Sequence, residues 1–129
     1  MWRAYFWVTF GGALGSAARF WCSGFVARNI GETFPWGTLA VNVVGSFVIG
    51  VFGGFAEPDG RVMLSTSMRQ FVMIGLCGGY TTFSSFSLQT LGLARDGQRI
   101  QVIGNVLLSV LMCLLAVWAG HTIALVLNE

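Results

Sequence analysis

Three long runs of the chain carry no charged residue at all: residues 33–56, 70–94 and 100–128. A fourth run, residues 4–27, carries only Arg19. Each exceeds the roughly 20 apolar residues a helix needs to cross the hydrocarbon core of a bilayer. The pattern predicts four transmembrane helices joined by short loops near 28–35, 57–69 and 95–99. A transmembrane barrel is a poor match, because its strands alternate apolar and polar positions over much shorter stretches.

Composition agrees with this reading. The 129 residues are 55% hydrophobic and 9% charged, with a mean hydropathy of +0.74, whereas soluble domains carry about 25% charged residues. The expectation is one all-α integral membrane domain over 1–129. Arg3 ahead of an apolar run resembles the start of a signal peptide, but no soluble segment follows, so the run is read as a span. Cys22, Cys77 and Cys113 fall one to a helix, an odd number that suits buried thiols better than disulfides or a metal site. A net charge of +2 offers nothing for nucleic acid.

With four spans, Arg3, Arg61 and Arg69 lie on one side of the membrane and Arg28, Arg95 and Arg99 on the other. This three-against-three balance gives no preferred orientation under the positive-inside rule. Either the chain inserts one way on weak signals, or it inserts both ways and pairs with an inverted copy of itself. An isologous dimer with its axis in the membrane plane is the simplest closed form of the second alternative. Gly11–Gly15, Gly50–Gly54 and Gly75–Gly79 are spaced for close helix packing.

Polar groups within the spans are functional candidates by default. No carboxylate is among them: Glu32, Glu57, Asp59, Asp96 and Glu129 all fall in loops or at the terminus. That weighs against proton coupling and cation binding within the membrane. The intramembrane set is Arg19, Asn42, Thr81, Thr82, Ser84, Ser85, Ser87, Asn105 and Ser109, all able to point hydrogen at a guest anion. Each hydroxyl could instead bond back to its own helix, the asparagines could join helices, and Arg19 could snorkel to the interface. His121 and the tryptophans read as interfacial or packing residues. No nucleophile has a base at its depth, so an enzyme is not expected.

The segment GLCGGYTTFSSFS at 75–87 interrupts the third span. Gly78 and Gly79 disfavour continuous helix and the β-branched pair Thr81–Thr82 follows. Non-helical backbone at that depth is tolerated only when buried in protein or lining a cavity. Freed carbonyls at a two-fold axis would suit a cation. Phe83 and Phe86 share a helical face; they suit core packing, yet their positive ring edges could also attract an anion.

GGYTTFSSFS at 78–87, WGTLAVNVVG at 36–45 and GGALGSAARF at 11–20 together resemble the Fluc/CrcB family of fluoride ion channels, in order and over essentially the whole chain. That resemblance implies a passive, fluoride-selective channel in the bacterial cytoplasmic (inner) membrane, an antiparallel dual-topology homodimer with two pores. It would export the fluoride that accumulates when HF enters and dissociates, protecting the cell. Phe83 and Phe86 match the family's pore phenylalanines and Asn42 its pore asparagine. Thr82, Ser84 and Ser109 are similar to hydroxyl positions beside the path, and Arg19 to the arginine near the vestibule. Gly78 and Thr81 match the positions whose backbone carbonyls hold a structural Na+ at the dimer centre. Ser85 and Tyr80 depart from the usual threonine and smaller aliphatic, and Asn105 aligns only loosely. Two other readings are a small dual-topology proton-coupled multidrug transporter, which would want an intramembrane acid, and a helix-packing subunit of a larger complex.

Overall fold

The computed structural model describes residues 1–129 and is built of helices alone. Helix α1 spans Trp2–Ile30 and stops at Gly31, whose φ of 110° lies in the region glycine favours. Helix α2 spans Trp36–Phe55 behind Pro35. Helix α3 covers 66–80: it starts as Thr66–Arg69, widens into a π-helical stretch at Gln70–Cys77 and closes with the turn Gly78–Tyr80. Ser65 caps its start, the hydroxyl accepting from Met68 N–H at 3.2 Å. After two extended residues, helix α4 runs Phe83–Arg95. A turn at Gly97, with φ of 76°, leads into helix α5, Arg99–Asn128.

With α3 and α4 counted as one interrupted rod, the molecule has four long helices. Trp36–Phe55, Thr66–Arg95 and Arg99–Asn128 are each long and apolar enough to cross a membrane. At 29 residues α1 matches them in length but is not among the three. Its glycines, serines, tryptophans and arginines lower its apolarity.

Two helix pairs organise the packing: α2 along α5, and α1 along α3. Their glycines explain how close they come. A Cβ on Gly11 or Gly15 would overlap backbone of α3 at Phe71 and Leu76, and one on Gly75 or Gly79 would meet backbone of α1 at Val8 and Gly12. Likewise Gly50 sits on the Val117 carbonyl and Gly120 on that of Phe47. The three glycine pairs read from the sequence are thus contact points between backbones, as small residues are in membrane helix pairs.

The interior is correspondingly small and partly polar. Its buried side chains include Leu39, Val41, Val72 and Ala124, but also Thr38, Thr82, Asn105 and Ser109. Large apolar side chains face outward, among them Phe20, Trp21, Leu114, Leu115 and Trp118. Such a surface suits lipid, which needs no polar covering.

At one end the loop between α2 and α3 is tied to the end of α5. Asn128 Oδ1 accepts from Val62 N–H at 2.8 Å, and the Asn128 carbonyl accepts from Arg61 N–H at 3.0 Å. His121 Nε2 lies 3.8 Å from Glu57 Oε1 in the same region.

Candidate functional site

The interruption of the third span falls at Thr81–Thr82, later than the glycines suggest. Gly78–Tyr80 is still helical, and Gly79 serves close approach to Gly12 on α1. The two threonines then leave helical geometry, with Thr81 at φ −79°, ψ 157° and Thr82 at φ −150°, ψ 105°. β-Branched residues lose little by adopting extended backbone.

Every polar group freed by the break has to find a partner, and most find one nearby. Thr81 donates both its N–H and its hydroxyl to the Cys77 carbonyl, each at 3.0 Å. Thr82 N–H turns away from the helix to Asn42 Oδ1 at 2.7 Å, while Asn42 Nδ2 donates to the Thr82 carbonyl at 3.0 Å. The Thr82 hydroxyl caps α4, accepting from Ser85 N–H at 3.2 Å, and donates to Ser85 Oγ at 3.0 Å. Ser84 Oγ stands 3.3 Å from that same hydroxyl oxygen. The Gly79 carbonyl accepts from Arg19 Nε at 3.2 Å and from Ser16 Oγ at 3.5 Å.

Of the carbonyls that precede the break, two have their helical donors taken by side-chain oxygens. That of Gly78 would accept from Thr82 N–H, which serves Asn42 instead. That of Thr81 would accept from Ser85 N–H, which serves the Thr82 hydroxyl. Both residues line one cavity of about 430 Å³. Asn42, Phe83, Phe86 and Ser109 line it too, with Met73, Cys77 and Cys113, and no carboxylate is among its walls. The phenyl centroids of Phe83 and Phe86 are 5.4 Å apart at 49°, and Phe83 is 78% exposed in the single chain.

The remaining candidates lie elsewhere. Arg19 and Thr82 line a second cavity of about 630 Å³ together with Arg28, Glu32, Ser85, Gln89 and Asp96. Thr82 thereby stands between the two, lining the larger while its backbone is held by Asn42 from the smaller. Ser84 is exposed and lines neither cavity. Asn42 and Arg19 both spend hydrogen bonds on the break itself, a bracing role that residue type alone left among several alternatives.

One arrangement was out of reach of the sequence. Ser109 donates to Asn105 Oδ1 at 3.3 Å, Asn105 Nδ2 donates to Thr90 Oγ1 at 3.0 Å, and Thr90 donates to the Phe86 carbonyl at 2.7 Å. The spacing of Asn105 and Ser109, one helical turn apart, was a visible signal. Thr90, on another helix, had none.

Four helical rods, one broken at mid-length around a charge-free cavity, define a small multi-pass helical membrane protein. The family model described as "CrcB-like protein, Camphor Resistance (CrcB)" matches residues 6–121, and the chain belongs to that family. A protein of Methylocella silvestris named "Fluoride-specific ion channel FluC" is 58% identical over 125 residues, covering 97% of this chain and 95% of that protein. Proteins of the same name from Rhodospirillum rubrum and Opitutus terrae are each 57% identical over 125 residues and 97% of this chain, covering 97% and 95% of their own lengths.

Proposed function

We propose that this chain is a passive fluoride-selective channel that lets cytoplasmic fluoride leave across the bacterial inner membrane. The observation that carries the reading is the meeting of Asn42, Phe83, Phe86 and Ser109 on one cavity without a carboxylate, in a chain so similar to proteins named as fluoride channels. Fluoride is small and strongly hydrated, so a pore has to replace its water with close donors and a narrow path. An amide and phenyl edges supply positive ends of dipoles without a fixed cation that would trap the ion, and hydroxyls stand beside them. Arg19 and Thr82 belong to the approach to that path, where the guanidinium draws anions into the larger cavity, and Ser84 stands against the Thr82 hydroxyl beside it.

The working unit in this reading is an antiparallel dual-topology homodimer of single-domain chains. The balanced arginines favour it, and so does Phe83, which one chain leaves 78% exposed beside a cavity and which a second copy would cover. The Gly78 and Thr81 carbonyls fit a structural Na+ at the dimer centre, since both lack their helical donors and both line the same cavity. Bound there, the ion would supply positive charge to neutralise carbonyl oxygens that two apposed breaks would otherwise turn toward each other. The break itself is held by this chain's own Asn42 and Arg19.

The test is efflux from liposomes loaded with fluoride or chloride. Fluoride should leave far faster than chloride, and Phe83→Ile and Phe86→Ile should each slow it. Fluoride leaving no faster than chloride, or both variants matching the unaltered protein, would sink the reading. Proton-driven uptake of organic cations would instead favour a multidrug transporter.

A further inference from the structure

The chain of hydrogen bonds from Ser109 to the Phe86 carbonyl, buried at its Ser109–Asn105 end, runs in one direction in this structure. A carbonyl can only accept, so the single hydroxyl hydrogen of Thr90 is spent on Phe86. Thr90 Oγ1 is then left with lone pairs alone for its neighbour. Asn105 has to turn its NH2 toward Thr90 and its Oδ1 toward Ser109. An amide oxygen also only accepts, so Ser109 has to give up its one hydrogen to Asn105. Ser109, one of three hydroxyl residues lining the cavity with Ser46 and Thr81, therefore offers it lone pairs and no proton.

We infer that Thr90 and Asn105 are positioning residues that aim the Ser109 proton away from the cavity, and so hold down the strength with which the pore binds an anion. Neither residue lines either cavity, so both act through Ser109. Asn105 is 1% exposed, so a partner it loses leaves a buried polar group to be satisfied. For Ser109 to donate to a passing anion, its hydroxyl has to rotate and strand the buried Asn105 oxygen. That cost is set against the anion at every passage. It works in favour of conduction, because an ion held too tightly does not leave.

The inference rests on fluoride conduction as proposed above, and its test separates the two. Efflux is measured from liposomes over a range of fluoride concentrations for the unaltered protein, Thr90→Val, Thr90→Ser and Asn105→Leu, each also made with Ser109→Ala. Thr90→Val removes the acceptor that orients Asn105, so the amide is free to turn, donate to Ser109 and release the serine proton toward the cavity. The concentration giving half-maximal efflux should fall about five- to tenfold, the effect of about one buried hydrogen-bond partner. Thr90→Ser keeps the hydroxyl and should leave that concentration unchanged. With Ser109→Ala present, neither Thr90→Val nor Asn105→Leu should shift it further. If Thr90→Val does not fold, Asn105→Leu carries the same expectation. No shift in the folded variant, or a shift that persists undiminished with Ser109→Ala, overturns the inference, as does the failure of both variants to fold. An unaltered protein that passes no fluoride removes the conduction reading and this inference with it.

Discussion

Asn42 and Thr82 hold each other by two reciprocal hydrogen bonds, 2.7 Å from the Thr82 N–H and 3.0 Å to its carbonyl. One side chain thus replaces both partners that a helix would have supplied at that residue. In hydrocarbon no water can do so, which makes a primary amide at position 42 the condition for a break at position 82.

Asn42→Leu should leave both backbone groups unpaired and destabilise the protein by about 2–5 kcal/mol, from the usual cost of a stranded buried polar group. Asn42→Asp keeps the acceptor for Thr82 N–H but sets a carboxyl oxygen against the Thr82 carbonyl within the span, so it should destabilise the protein as well. Denaturant or thermal unfolding in detergent measures both. Equal stability of Asn42→Leu and the unaltered protein would show that the pairing carries no weight.

Thr82 also caps α4 through its hydroxyl, which accepts from Ser85 N–H. Thr82→Val has nearly the same shape but no cap, and should cost about 1 kcal/mol in stability, whereas Thr82→Ser should cost little. The two variants share the altered side-chain bulk in opposite senses, so a loss confined to valine isolates the hydroxyl.

Adjacent glycines in the same turn should respond in opposite ways. A Cβ on Gly79 would run into backbone of α1 at Gly12, while a Cβ on Gly78 meets nothing within 4 Å. Gly79→Ala should therefore force α1 and α3 apart and lower the melting temperature, and Gly78→Ala should leave the folded chain intact. In the dimer reading Gly78 faces the second copy, so its alanine variant should show its defect as weakened association in size-exclusion chromatography.

Dual topology has its own check. Two or three lysines added to one terminus should hold every chain in a single orientation, and such a protein alone should lose fluoride efflux. Activity should return on co-expression with a form biased the other way. Full activity of the single-orientation protein alone would rule out the antiparallel dimer.

The helical class, the long spans and the membrane environment were legible because they follow from one-dimensional quantities: run length, charge and hydropathy. Even so, α1 falls short of the apolarity of its neighbours, because it meets α3 through glycines and carries Arg19 to the break. The glycine pairs announced tight packing by their spacing, though not that Gly11 and Gly15 would lie on Phe71 and Leu76. Partner choice depends on how helices far apart in sequence come together.

The site divides along the same line. Asn42 and Ser109 stood out as polar residues in apolar surroundings, whereas Phe83 and Phe86 suited core packing and were marked as pore candidates by the family resemblance. That Asn42 is spent on Thr82, that Arg19 reaches the Gly79 carbonyl, and that Asn105 meets Thr90 were decided only by the fold. Those facts are hydrogen bonds between residues 15 to 60 positions apart. A sequence lists which donors and acceptors are present, but only the packed backbone determines which of them meet, and so in which direction each proton points.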